Sequence, residues 1–438
     1  MEWWLTLLMI MGPLLVLMML GMPVAFAFLV VNLIASYFLL GGMSGVEQLV
    51  ISTTGALTSF TLVPIAMFMI MGEVMFRSNI ANDLLDTLDK WFGKVRGRLS
   101  LMAVGGGVLF STLTGNSMGS IALLGSSLVP EMEKRGYKKP MSLGPILGSA
   151  GLAIMIPPSS LAVVLGVVAE LPIGRLLIAI ILPGLLMAVL YTVYIIGRCT
   201  LQPDIAPSFE SEPTTLRVKV EAGIKNILPI GFIIFAVVGV IFLGLATPTE
   251  AAASGAVATI ILAIIKRRLS IKKFKKSMFE SAAISVMVLL IVAGAVSFTQ
   301  LLSFTGATYG LMDAVLGLPF SEKTIVLAMV LAVVVLGMFM GPLPIMMVTL
   351  PIFVPVVIEF GFDPLWFAVL FLIAIETGST SPPLGAALFV MKAVAPEGTS
   401  MGSIYKAAVP FLVCDFLAIA IVFMFPAIVT WPVGLMFN

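Results

Sequence analysis

The prolines and glycines of this chain recur at a spacing of 225 residues. Pro23 is matched by Pro248, Pro130 by Pro355, Gly136 by Gly361, and the Pro157-Pro158 pair by Pro382-Pro383. Flanking residues agree in kind: Gly-Met-Pro with Ala-Thr-Pro, Leu-Val-Pro with Phe-Val-Pro, Arg-Gly-Tyr with Phe-Gly-Phe. Elsewhere the halves share little. Proline and glycine decide where a backbone can bend, so a shared set implies a shared backbone path. In a chain apolar enough to enter lipid, such a duplication marks a transporter built from two repeats.

Composition meets that condition. Hydrophobic residues make up 60% of the 438 positions and charged residues only 11%. Apolar runs long enough to cross a bilayer recur throughout, more than a soluble chain of this length could bury. The absence of histidine, with Cys199 and Cys414 the only cysteines, excludes histidine catalysis, a His/Cys metal cluster and a disulfide framework. The run 3–20 lacks a basic leader and a small-residue cleavage site, so it reads as a retained helix. The longest polar stretch, Arg198 to Lys225, carries Pro203, Pro207 and Pro213. It reads as a linker, 199–225, between a first repeat at 1–198 and a second at 226–438.

The first half offers apolar segments at 3–20, 22–41 and 58–77, a Gly/Ser/Thr-rich region at 98–130, a proline-broken segment at 140–170, and 172–198. The second offers 226–244, 248–265 and 281–302, an interrupted region at 322–357, a broken segment at 364–395, and 402–432. Two helices of about 15 residues in each interrupted region would reach only partway through a ~30 Å hydrocarbon core. Re-entrant hairpins fit such lengths, with tips at Thr114-Gly115-Asn116-Ser117 and Gly341-Pro342-Leu343-Pro344. Two ordinary, closely spaced helices are the alternative. With hairpins making no net crossing, each repeat crosses five times, and an odd count makes the second copy inverted. On this topology all but Arg175 and Lys323 of the 24 lysines and arginines fall on one side, which is therefore cytoplasmic. Both termini face outward, the first hairpin opens from the cytoplasm and the second from outside. The basic runs need no further role than setting topology and meeting anionic headgroups.

Each double proline interrupts an otherwise spanning segment. Two missing amide donors and the carbonyls freed one turn back require the helix to unwind there. The neighbours are small and hydroxylic: Gly148-Ser149-Ala150-Gly151 and Ser159-Ser160 in the first break, Glu376-Thr377-Gly378-Ser379-Thr380-Ser381 in the second. Carbonyl and hydroxyl oxygens are hard ligands suited to Na⁺, and a half-helix N-terminus suits a carboxylate or sulfonate. Each break is expected to face the hairpin tip of its own repeat, giving two oxygen-rich cages with a substrate pocket between them. Thr114, Ser159, Ser160, Pro342 and Glu376 are the candidate substrate contacts. Glu376 could instead lend its carboxylate to a cation, while Glu73 and Asp415 read as packing pairs. The dispersed methionines read as filler.

The stretch 115–137, Gly-Asn-Ser-Met-Gly-Ser-Ile-Ala-Leu-Leu-Gly-Ser-Ser-Leu-Val-Pro-Glu-Met-Glu-Lys-Arg-Gly-Tyr, with Ile-Met-Ile-Pro-Pro-Ser at 154–159, resembles the large membrane subunit (M subunit, DctM type) of TRAP (tripartite ATP-independent periplasmic) transporters. Ala-Thr-Pro-Thr-Glu-Ala-Ala (246–252), Pro-Ile-Phe-Val-Pro (351–355), Gly-Phe-Asp-Pro (361–364) and Ser-Pro-Pro-Leu-Gly (381–385) fit its second half. The resemblance covers nearly the whole chain. It implies an all-α polytopic elevator, in which hairpins and broken helices form a transport domain sliding against a scaffold of outer helices. It further implies sodium-driven uptake of a small organic acid anion across the inner membrane, with a small four-helix membrane subunit (Q type) and a periplasmic substrate-binding protein (P type) as partners. The family's sodium positions map onto Asn116, Ser117, Gly148 and Ser149 in the first repeat, and Gly341, Thr377, Gly378, Thr380 and Ser381 in the second. Ser381 replaces the family's usual threonine and keeps its hydroxyl. Gly341-Pro342 stands where many members carry an acid at the tip, a loss for which Glu376 is the candidate compensation.

A stand-alone inverted-repeat anion carrier is the nearest alternative. Gly115-Asn116-Ser117-Met118-Gly119 spells a hydrolase nucleophile elbow, but that motif needs a strand-to-helix turn and a histidine base. An enzyme is therefore not expected.

Overall fold

The structure, a computed structural model, describes residues 2–78, 80, 83, 87, 89–91, 95–114, 117–207 and 215–437. Every regular element among them is helical, as lipid demands of a backbone that must satisfy its own polar groups. The first half contains α1 (Trp3–Met19), α2 (Val24–Leu39), α3 (Met43–Leu57), α4 (Val63–Ser78), α5 (Arg98–Thr114), α6 (Ser117–Lys134), α7 (Lys139–Met155), α8 (Ser160–Val168) and α9 (Ile173–Leu201). The second contains α10 (Leu216–Phe242), α11 (Pro248–Ile265), α12 (Ile271–Phe304), α13 (Ala307–Leu316), α14 (Glu322–Gly337), α15 (Pro342–Glu359), α16 (Pro364–Ser379), α17 (Ala386–Val394), α18 (Met401–Met424) and α19 (Ala427–Phe437). Six of these, and α4 together with the tight turn Phe60–Leu62 ahead of it, are long and apolar enough to cross a bilayer, and α7 with α8, bent by 48°, makes an eighth; α1, α2 and α16 are shorter and apolar. The chain is a multi-pass all-α membrane protein.

The residues that punctuate the sequence also set the helix ends. Pro248, Pro342 and Pro364 each open a helix, where the missing amide costs nothing. Thr247 and Glu250 form a reciprocal capping box ahead of α11, and Asp363 accepts the Leu365 amide at 2.8 Å ahead of α16. Gly136 and Gly361 stop α6 and α15 with φ of 81° and 74°, a conformation that favours glycine. The starts of α6 and α15, and of α7 and α16, are each 225 residues apart.

Several boundaries differ from those expected. The helix α3 was not anticipated, because Glu47, Gln48, Ser52 and Thr53 dilute its apolar signal. Those polar groups hold it against α12: Thr53 and Ser297 hydroxyls meet at 2.9 Å, and Ser52 donates to Gln300. Instead of 281–302, α12 runs for 34 residues and takes in the basic run from Lys272. The segment 402–432 divides into α18 and α19, with Pro426 in the gap between them. Helix enters the 199–225 linker from both ends, through α9 and α10. The arms of the interrupted regions, α5, α6, α14 and α15, span 17, 18, 16 and 18 residues, against about 15 expected, and α15 is itself long and apolar enough to cross a bilayer.

Helices at equivalent positions of the two halves touch one another. The pairs α4 with α12, α7 with α16, and α9 with α18 all pack together. Crossed contacts come in matched pairs as well: α6 packs on α17, and α15 on α8. One large apolar core joins these elements, and α16 is buried along its whole length from Leu365 to Ser379.

Candidate functional site

Both double prolines break their helices. In the first half α7 ends at Met155, Ile156 is extended, and Ser159 caps α8 by accepting the Ala162 amide at 3.2 Å. In the second half α16 ends at Ser379 and α17 begins at Ala386. Gly385 lies so close inside that turn that a Cβ would fall 2.4 Å from the Ser379 carbonyl oxygen and 2.7 Å from that of Ser381. The Pro157-Pro158 and Pro382-Pro383 peptide bonds are both cis.

Hairpin helices press against both breaks at glycine. A Cβ on Gly107 of α5 would fall 2.4 Å from the Ser149 Cβ, and one on Gly378 would fall 2.6 Å from the Gly337 Cα at the end of α14. The second tip lies at Met338 to Gly341, earlier than the expected Gly341 to Pro344, because Pro342, Leu343 and Pro344 already belong to α15, and it adjoins the second break. Gly341 is half-buried and caps α15, with Pro342 as the first helical residue. At the first tip Ser117 is buried at the start of α6; Asn116 lies outside the described residues, and Thr114 is described by its backbone alone. Gly148 serves close packing, since a Cβ there would fall 2.4 Å from Phe411 Cδ1.

The hydroxyl groups of the breaks are buried, and five of them turn toward backbone carbonyls. Ser149 donates to Ile146 at 3.2 Å, Thr377 to Ile373 at 2.8 Å, Ser379 to Glu376 at 2.9 Å, and Ser381 to Thr377 at 2.6 Å. Thr380 is shared between the Glu376 and Thr377 carbonyls, at 3.1 Å each. A hydroxyl that donates its proton keeps its lone pairs. This set of oxygens can therefore accept a hard cation without breaking the bonds that order it. Ser159 and Ser160 are buried at the start of α8.

Two acids are fully buried among the described residues, Glu376 and Asp415. Asp415 on α18 accepts a hydrogen bond from Tyr191 on α9, a packing pair of the kind expected of it. Glu73 pairs with Arg77 one turn on, at 3.1 Å. Glu376 differs: neither carboxylate oxygen has a hydrogen-bond partner. Its Cγ approaches Gly151 so closely that a Cβ there would fall 2.6 Å away. Positions 151 and 376, 225 residues apart, therefore meet face to face.

Sequence reasoning missed Gly107 and Gly337, although Gly107 ends a Gly-Gly-Gly run and Gly337 stands four residues before Gly341, both spacings that allow helices to approach. It also missed a cavity of about 1260 Å³ away from both breaks. Gln48, Ser52, Glu170, Arg175, Glu250 and Gln300 supply its polar lining, on elements too far apart in sequence for any local pattern.

Broken helices within an all-helical multi-pass bundle define the fold. Solved structures share it: the YdaH transporter of Alcanivorax borkumensis aligns with a TM-score of 0.65 at 14% identity, covering 90% of this chain and 91% of that one. MtrF of Neisseria gonorrhoeae aligns at 0.62, also at 14% identity, over 87% and 84%. The family described as "Tripartite ATP-independent periplasmic transporter, DctM component" matches residues 11–428, and the chain belongs to it. Among similar proteins, the C4-dicarboxylate TRAP transporter large permease DctM of Pseudomonas aeruginosa is 30% identical, over 89% of this chain and 90% of that one. The ectoine large permease TeaC of Halomonas elongata is 28% identical over 94% and 95%. The isethionate permease DctMQ of Oleidesulfovibrio alaskensis is 28% identical over 85% of this chain and 58% of that longer one. This family is a transporter permease, not an enzyme.

Proposed function

We propose that the chain is the large permease subunit of a sodium-coupled, binding-protein-dependent secondary transporter that imports a small organic acid anion across the inner membrane. The observation that carries this reading is the pair of hydroxyl-lined breaks, each closed against a helix of its own half and joined where Gly151 meets Glu376. Ser117, Gly148 and Ser149, with Asn116, would hold sodium in the first cage. Gly341, Thr377, Gly378, Thr380 and Ser381 would hold it in the second. Thr114, Ser159, Ser160 and Pro342 then face the substrate, and Glu376 stands between the cages. An anion is met there by helix dipoles, hydroxyls and bound cations.

Inverted repeats explain why equivalent helices touch. A two-fold axis brings the elements nearest to it against their own copies, as α4 and α12, α7 and α16, and α9 and α18 are. The lysines and arginines, one-sided on the topology expected from sequence, support the same arrangement, with both termini periplasmic. In the elevator reading, α5 to α8 and α14 to α17 move against the outer helices. A small four-helix membrane subunit and a periplasmic binding protein complete the system. Relatives are named for C4-dicarboxylates, ectoine, isethionate and sialic acid, which supports a small organic acid as the substrate class here.

Uptake into proteoliposomes under an imposed Na⁺ gradient, with and without the binding protein, tests the reading. Uptake that needs both is expected. Equal uptake without the binding protein would mean a stand-alone carrier instead.

A further inference from the structure

The Glu376 carboxylate is 1% exposed and has no hydrogen-bond partner on either oxygen. A desolvated carboxylate deep in a membrane bundle is costly unless something neutralises it. No lysine or arginine is among the residues buried around it on α7, α9, α14 or α18. Asp415, the other buried acid at this interface, is engaged by Tyr191. The Ser379 hydroxyl, the nearest side-chain donor, gives its proton to the Glu376 carbonyl at 2.9 Å. Either a proton or a bound cation can neutralise such a group, and the placement of the side chain favours a cation site.

The direction in which the side chain points decides which cage that cation belongs to. Glu376 belongs by sequence to the second break, yet its Cγ and carboxyl carbon lie 2.6 and 3.5 Å from where a Gly151 Cβ would stand. Gly151 closes the turn whose carbonyl at Gly148 accepts its amide at 3.2 Å, next to Ser149. The first break supplies no acid of its own between Lys139 and Ser160. Glycine at position 151 is what leaves space for the glutamate, since the two equivalent positions share one site and cannot both carry large side chains.

We propose that Glu376 reaches across the repeat interface and serves as the anionic ligand of the first cage, beside Gly148 and Ser149, so that one repeat completes the cation site of the other. This rests on the sodium reading above. It gives the two cages different affinities, and it makes cation binding in the first cage lock the two broken helices together.

The test is Na⁺-dependent thermal stabilisation of the full-length purified chain in nanodiscs, with choline holding ionic strength constant. Glu376→Gln keeps shape and burial while removing the charge, and should raise the half-stabilising Na⁺ concentration by about tenfold or more. Ser149→Ala should raise it too, and the double variant should rise no further than the worse single variant. Thr380→Ala, in the second cage, should combine with Glu376→Gln multiplicatively. Gly151→Ala, which retains the carboxylate but pushes it aside, should reproduce the effect of Glu376→Gln. An unchanged Na⁺ response in Glu376→Gln overturns the proposal, as does coupling of Glu376 to Thr380 in place of Ser149. If the wild type shows no Na⁺-specific stabilisation, the sodium reading falls and this assignment with it. A sodium-responsive wild type with an equally responsive Glu376→Gln sinks only the cross-repeat ligand.

Discussion

Gly378 and Gly337 bring α16 and α14 together with no space for a side chain. A Cβ on Gly378 would fall 2.6 Å from both the Gly337 Cα and the Val334 carbonyl oxygen, so backbone and not a pliable side chain would have to yield. Gly378→Ala should therefore lower stability by about 1–3 kcal/mol, the range for overpacking, and thermal unfolding in detergent would read it. Tyr191 works in the opposite sense, as the donor to a fully buried Asp415. Tyr191→Phe should cost about 1–3 kcal/mol by stranding that acceptor, and Tyr191→Phe combined with Asp415→Leu should recover part of the loss. At this scale much could be read from sequence. The hydroxyl-rich breaks and the buried acids are visible as polar letters in apolar text. Which partner each one meets was not legible, because the Gly151–Glu376 contact depends on how two distant helices pack.

Among the elements, the second break is the most tightly specified. Its turn from Thr380 to Gly385 folds back on itself so closely that only a residue without a Cβ fits at position 385. Gly385→Ala should reach the membrane at near-normal levels and lose most of its uptake, since the strain is confined to the turn between α16 and α17. Comparing surface expression with transport rate separates that result from general misfolding. The breaks, the tips and the helix starts at prolines were legible because proline and glycine act locally. The helix α3 was hidden, since Ser52 and Thr53 blend into loop-like text and earn their place only through Ser297 and Gln300 on α12. Arm lengths were underestimated for a related reason. Helices such as α6 and α15 continue beyond their apolar stretch to glycines at 136 and 361, and only the backbone shows where they stop.

For the whole molecule, the 225-residue register organises everything else. Equivalent helices touch and crossed contacts come in matched pairs, as the proposed inverted repeat requires. The topology that follows is open to a labelling experiment. Cys199 and Cys414 are both buried, so single cysteines introduced elsewhere can be read selectively with a membrane-impermeant thiol reagent. Lys323→Cys should react from the periplasmic side, and Lys275→Cys only after the membrane is opened. Labelling of both from one side would break the inverted arrangement.

The central claim is that the two breaks act together as one sodium-coupled site. The initial rate of substrate uptake against Na⁺ concentration, in proteoliposomes supplied with the binding protein, tests it most directly. Wild type should give a sigmoidal curve, and Ser149→Ala in one break and Thr377→Ala in the other should each flatten it toward a simple hyperbola at higher half-saturation. A rate that does not depend on Na⁺, or a sigmoidal curve that neither substitution alters, would contradict the account.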